Sequence, residues 1–268
     1  MSLPIAIQLY SVRNTIKSNV EETLKALKAM GYEGVEFAGF CDKTAFELRE
    51  LCDRIGLVPI SAHMTYPALC EEIDQRIDDF VTLGCSYVAI SYMPPECHKG
   101  GEAHEGVYEK IKEMSAKLKA RGIKLLYHNH SLEMVEYEGK RRYDWLFEAM
   151  GEDELQPQID TAWIELEVGE AEQYIRKFKN RCDLVHIKSY YGKDGFDDLL
   201  HSPNEIKARE SFDFCNFALG RLDVSAIVKA AEESGAKWLV VEQDKADEGL
   251  PELESAKINI DCLRKIMK

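Results

Sequence analysis

No run of apolar residues approaches the roughly 18 positions that a membrane-spanning helix needs, so a membrane span is not expected in this 268-residue chain. Met1-Ser2-Leu3-Pro4 leads straight into an apolar stretch, without the basic and apolar regions of a secretion signal. Positive charge is also short: 34 Lys and Arg stand against 48 Asp and Glu, for a formal net charge of -14. A field of that sign repels phosphate backbones and anionic lipid surfaces, which argues against nucleic-acid and membrane partners. A local basic pocket could still hold a single phosphate. None of the eight cysteines forms a C-x-x-C pair, and they are scattered over helix-like and strand-like segments alike. That excludes a zinc knuckle or a disulfide scaffold as the organising device and points to buried thiols in a reducing compartment. The expectation is a cytoplasmic protein. No Pro-, Gly- or Ser-rich linker divides the chain, so residues 1–268 are expected to form one domain. The first β-α turn, Tyr10 to Asn14, has no Gly-rich phosphate fingerprint, which disfavours a doubly wound dinucleotide-binding sheet.

What is present is a recurring punctuation. A helical apolar stripe ends, one Gly follows, and a short β-rich run begins. This occurs at Gly31, Gly56, Gly84, Gly122 and Gly235, each the kind of residue that suits the left-handed position past a helix C-terminus. Val107, Ile111, Met114 and Leu118 follow helical spacing, as do Ile73, Ile77, Phe80 and Val81. Asn19 with Glu22 predicts a helix cap close to a capping box. With further strands near Ile5–Leu9, Gln156–Asp160 and Asp183–Lys188, the chain reads as eight β-α units. Strict alternation demands a parallel sheet, and eight units in this length close as a (β/α)8 TIM barrel. The stretch from Ser189 to Leu222, after the seventh strand, keeps no clear periodicity. It is expected to be a long loop whose Tyr190, Tyr191, Phe196, Phe212, Phe214 and Phe217 pack over the site as a lid.

In such a barrel the site lies at the C-terminal ends of the strands. Those ends carry Gln8 and Tyr10, Glu36, His63, Tyr92, His128-Asn129-His130, Asp160, His186 with Lys188, and Glu242-Gln243-Asp244. Polar groups stand where a packed core should be closing. Carboxylates mixed with imidazoles suit Zn, Mn, Co or Fe, with the anionic ligands offsetting the charge of the ion.

These residues also carry a resemblance. Gln8-Leu9-Tyr10-Ser11-Val12-Arg13, Gly31-Tyr32-Glu33-Gly34-Val35-Glu36-Phe37 and Ser61-Ala62-His63 begin it. Tyr127-His128-Asn129-His130, Asp160-Thr161-Ala162-Trp163, His186-Ile187-Lys188 and Val241-Glu242-Gln243-Asp244 continue it. Over essentially its whole length the chain resembles the sugar phosphate isomerase/epimerase superfamily, the xylose isomerase-like barrels that include inosose dehydratases and endonuclease IV-type enzymes. The resemblance implies one divalent metal ion, held by a Glu, an Asp, a His and a Glu from the fifth to eighth strands. Three of these carry over to Asp160, His186 and Glu242. The fourth position is His128 rather than Glu, and Trp163 stands where epimerases often have a substrate-binding His. Inosose dehydratases are similar to this chain at both the His-rich fifth strand and Glu-Gln-Asp on the eighth.

The expected metal set is therefore His128, Asp160, His186 and Glu242, favouring Mn, Co or Zn over Mg. Glu242 and His128 are the expected proton-moving groups, His128 being either a ligand or a free base. Gln8, Glu36, His63, His130, Trp163 and Lys188 are read as substrate contacts. Glu36 could instead support the ligands, His63 could instead be a ligand itself, and Lys188 is either a hydroxyl or oxyanion anchor or a solvated strand end. The charged runs Glu133–Arg142 and Glu152–Glu154 read as solvated faces. The chemistry implied is proton abstraction next to a carbonyl, leading to isomerisation, epimerisation or loss of a β-hydroxyl. The substrate would be a small sugar or polyol ketone, and a homo-oligomer is compatible with the sequence. An endonuclease is disfavoured by the net charge, and a non-catalytic sugar-binding barrel by the retained Asp160, His186 and Glu242.

Overall fold

A computed structural model describes residues 2–193, 196 and 211–268. Eight strands close into a barrel: β1 (Ile5–Gln8), β2 (Gly34–Phe37), β3 (Val58–Thr65), β4 (Tyr87–Tyr92), β5 (Lys124–His128), β6 (Gln156–Asp160), β7 (Leu184–Ile187) and β8 (Trp238–Val241). Every strand lies beside its sequence neighbours, β8 pairs with β1, and all eight ladders are parallel. This is a (β/α)8 TIM barrel.

The Gly punctuation does what the sequence predicts. The helices Val20–Met30, Ala45–Ile55 and Tyr66–Leu83 end at Gly31, Gly56 and Gly84, all left-handed. At Gly84, with φ of 87°, the N–H closes the last turn on the Phe80 and Val81 carbonyls, and the chain turns directly into β4. Asn19 accepts from the Glu22 N–H as expected, but the reciprocal capping box forms elsewhere, between Thr44 and Glu47. The last helix, Glu252–Ile266, packs back on the start of the chain. Tyr32 donates to the Ala256 carbonyl at 2.8 Å, and Glu252 takes the Thr15 hydroxyl and N–H at 2.8 and 2.9 Å.

Two hydrophobic layers result. The larger fills the space between barrel and helices. The smaller comes from six strands at once, as Ala6, Ile60, Tyr87, Ala89, Leu126, Leu184 and Val240, and plugs the barrel from within. Strand side chains alternate faces. Two residues further along, the same inward rows become polar: Gln8 after Ala6, His128 after Leu126, His186 after Leu184 and Glu242 after Val240. The N-terminal end below the plug is tied by Asp183, which accepts from Lys124 and Tyr87 at 2.6 and 3.1 Å.

The segment after β7 is more ordered at its ends than the sequence suggests. Ser189–Gly192 pairs antiparallel with Phe212–Cys215, forming a two-stranded ribbon beside the barrel mouth. Tyr190, Phe196, Phe212 and Trp163 share one small buried cluster there. Residues 194–195 and 197–210 of the expected lid lie outside the described residues. All eight cysteines carry free thiols. No helix among the described residues is long and apolar enough to cross a membrane.

Candidate metal centre

Four neighbouring strand ends converge. His128 ends β5, Asp160 ends β6, His186 lies on β7 and Glu242 follows β8, and donor atoms from all four fall within 4.8 Å of one another. All four side chains are buried. His128 Nε2 stands 3.8 Å from Asp160 Oδ2 and 3.9 Å from Glu242 Oε2, too far for hydrogen bonds. Asp160 Oδ2, which faces His128 Nε2, has no hydrogen-bond partner despite its burial. Unpartnered buried donors and acceptors are costly unless something else satisfies them. Two carboxylates and two imidazoles around a common point fit a divalent transition metal, so the residues present suit the ion that the sequence implies.

Local structure fixes each group. Asp160 caps the following helix, its Oδ1 accepting from the Ala162 and Trp163 N–H groups at 3.0 and 3.3 Å, so Oδ2 alone faces the centre. Asn129 clamps the Asp160 backbone, donating to its carbonyl at 3.2 Å and accepting from its N–H at 2.9 Å. His186 Nδ1 lies 2.7 Å from Glu242 Oε2, while its Nε2 is 2.8 Å from Glu36 Oε1. Burial works against a charged His186, yet Glu36 and Glu242 outweigh it and push its pKa up to about 10. Burial and the neighbouring His186 hold His128 well below the usual imidazole range, so it is neutral. Burial raises Asp160 to about 6 in spite of Lys188. Burial would also raise Glu242, but Lys188 and His186 hold it low and ionised.

Lys188 is 1% exposed and is no solvated strand end. Its Nζ pairs with Asp244 Oδ1, lies 3.4 Å from Asp160 Oδ2 and 3.9 Å from Glu242 Oε1, and sits over the rings of Phe214 at 4.4 Å and Trp163 at 5.4 Å. Trp163 also meets His130, ring centroids 5.4 Å apart. Burial lowers His130 to about 4. His63 stacks parallel to His186 at 5.5 Å and opens towards a cavity of about 680 Å³ between the ends of β1, β2 and β3, whose wall includes Tyr10, Arg13, Phe37 and Phe80. Gln8 and Glu36 are fully buried behind these groups. Tyr92, by contrast, is 40% exposed.

Two functional neighbours escape the sequence reading. Gln158 donates to Glu36 Oε2 at 2.6 Å, with its own Oε1 2.7 Å from His63 Nε2. Its place two residues before Asp160 on β6, hence on the same face, was the available signal. Glu133 belongs to a run read as solvated, yet it is 1% exposed. It accepts from the Tyr127 hydroxyl and the His130 N–H, both at 2.7 Å, fastening the loop behind the metal-facing histidine.

With this geometry in view, the sequence pattern of the xylose isomerase-like TIM barrel matches residues 24–266. The chain belongs to that family. Among solved structures it is similar to a sugar phosphate isomerase/epimerase from Parabacteroides distasonis, at 19% identity and TM-score 0.79 over 100% of both chains. It is also similar to an IolI protein with a bound zinc atom, at 13% identity and TM-score 0.73 over 99% of this chain and 98% of that one. A third is a probable 3-DHS dehydratase involved in petrobactin synthesis from Bacillus anthracis, at 12% identity and TM-score 0.71 over 98% and 99%. No curated protein sequence matches the chain. At these identities the likeness is one of fold.

Proposed function

We propose that the protein is a divalent-metal-dependent sugar or polyol isomerase or epimerase that moves a proton next to a carbonyl. The observation that carries this reading is the meeting of His128, Asp160, His186 and Glu242 at the C-terminal mouth of a closed barrel. The fold neighbours named as isomerase/epimerase, as dehydratase and as zinc-bound are consistent with it. A bound divalent ion would supply Lewis-acid polarisation of the carbonyl. Glu242 offers Oε1 for the proton, since Oε2 is turned to His186. The Lys188 ammonium, held by Asp244, stands beside Glu242 where negative charge would develop on substrate oxygen. Trp163 and Phe214 over Lys188 keep water from that charge. The cavity of about 680 Å³ beside His63 has room for a small sugar.

One observation favours a second outcome from the same site. His128 is neutral and its Nε2 faces the carboxylates, so it is a ligand and not the second carboxylate base that reversible epimerisation would use on the opposite face. One base and one acid suffice for isomerisation or for loss of a β-hydroxyl. A dehydratase or isomerase acting on a polyol-derived ketone is therefore preferred to a C3 epimerase. Metal analysis joined to a screen of keto-sugars and inososes tests this. Efficient C3 epimerisation of free ketohexoses, with no elimination product from any keto-polyol, would refute the preference.

A further inference from the structure

Glu36 lies on the far side of the His186 ring from Glu242. It is 0% exposed and does not line the neighbouring cavity. The β2–β3 register shifts between Val35 and Glu36, a bulge of the kind that re-aims a side chain. Its carboxylate is locked from several sides. Gln8 Nε2 donates to Oε1 at 2.8 Å and Gln158 Nε2 to Oε2 at 2.6 Å. The Gln8 amide is itself anchored, its Oε1 accepting from the Tyr10 N–H at 3.1 Å. His63 Nε2 and His186 Nε2 approach Oε1 at 2.9 and 2.8 Å. The His186 contact is oblique, which suits charge attraction better than a straight hydrogen bond.

We propose that Glu36 is a positioning residue of the metal centre: it holds the Nε2 edge of His186, so that Nδ1 is the donor presented beside Glu242, Asp160 and His128. This rests on the metal-site reading above. His186 has carboxylates at both ring nitrogens, and it is Nδ1 that meets Glu242, one of the other three donors. With the Nδ1 lone pair given to an ion, the ring proton would stand at Nε2, next to Glu36. A ligating histidine whose other N–H meets a carboxylate is fixed in one tautomer and becomes a stronger donor. The charge matters as well. Only two of the four metal-facing donors are anionic, and Lys188 brings a positive charge within 3.4 Å of Asp160. Glu36 adds a negative charge one imidazole away, in an interior where charges are poorly screened.

The test compares the metal-stripped full-length protein with its Glu36→Gln variant, which keeps the side chain's shape and removes its charge. Zinc affinity is measured by chelator competition, with circular dichroism as the check of folding. The variant is expected to bind zinc about 10- to 100-fold more weakly. In the zinc-loaded unmodified protein, nitrogen-15 NMR of the imidazoles should show His186 coordinated through Nδ1 with its Nε2 proton retained. A purely structural carboxylate would change the melting temperature of the metal-free protein and leave zinc affinity alone. Equal affinities, or coordination of His186 through Nε2, overturn the proposal while the metal centre stands. An unmodified protein with no affinity for zinc, manganese or cobalt removes the centre and the proposal together. The NMR measurement needs no variant, so it decides the matter even if Glu36→Gln does not fold.

Discussion

Lys188, just past β7, is paired with Asp244 beyond the neighbouring β8 while its Nζ remains 3.4 Å from Asp160 Oδ2. Burial disfavours a charged lysine, but Asp160 and Asp244 outweigh it and keep the ammonium protonated far above its usual range. It is thus a fixed cation and not a base. Lys188→Met is expected to retain the metal and lower kcat by about 10²- to 10³-fold, the usual cost of losing one charge-stabilising donor. Steady-state kinetics beside metal analysis checks this; an unchanged kcat would assign Lys188 to packing alone.

Purified protein should carry about one transition-metal ion per chain, retaining Mn, Co or Zn better than Mg. Asp160→Ala with His186→Ala should abolish occupancy, because together they remove two of the four converging donors. Elemental analysis of the double variant is decisive, and full occupancy there would place the metal elsewhere.

His128→Glu places a third carboxylate beside Asp160 and Glu242. The variant is expected to lose most of the native isomerase or dehydratase activity and to gain epimerisation, read by product chromatography on the same ketone. Epimerisation equal in variant and parent would show that position 128 does not select the outcome.

The aromatic cover over Lys188 should matter through water. Phe214→Ala opens the face that lies 4.4 Å from Nζ, and solvent deuterium should then enter recovered substrate several-fold faster. Deleting residues 197–208 should leave the barrel folded by circular dichroism while reducing turnover, as a lid would require. Unchanged kinetics after that deletion would end the lid reading.

Acid sensitivity has an identifiable contributor in His98, which is 2% exposed with Nε2 3.1 Å from the Met93 carbonyl. Burial lowers its pKa from 6.5 to about 4. Between those values the unfolded chain binds a proton that the folded protein refuses. The stabilisation is complete above pH 6.5 and is lost as the pH falls towards 4, at about 1.4 kcal/mol per unit. His98→Gln should flatten that part of the curve in urea titrations of metal-free protein. An identical slope would clear His98.

The barrel and the convergence of His128, Asp160, His186 and Glu242 at its mouth were legible because strand ends repeat a simple grammar. Gly follows several of the helices, and along the inward row an apolar residue gives way to a polar one two positions on; Leu184 and His186, or Val240 and Glu242, show this second step directly. What stayed hidden depended on partners that a local pattern does not reveal. Gln158 looks like any strand glutamine until Glu36, 122 residues away, is placed against it. Glu133 reads as surface charge because its run is rich in Glu, Lys and Arg, while the Tyr127 hydroxyl, the His130 N–H and nearby His98 receive its carboxylate in the interior. The ribbon of Ser189–Gly192 with Phe212–Cys215 was invisible for the same reason, its two strands being separated by a stretch without periodicity.

The apolar plug of Ala6, Ile60, Tyr87, Ala89, Leu126, Leu184 and Val240 makes the barrel a blind vessel. Among the described residues the plug closes the barrel's interior towards its N-terminal end, so a molecule made at the centre would leave by the mouth through which the next one arrives. Any product that still carries the carbonyl would then queue against fresh substrate, so inhibition by product should be competitive and its strength should set the turnover at high conversion.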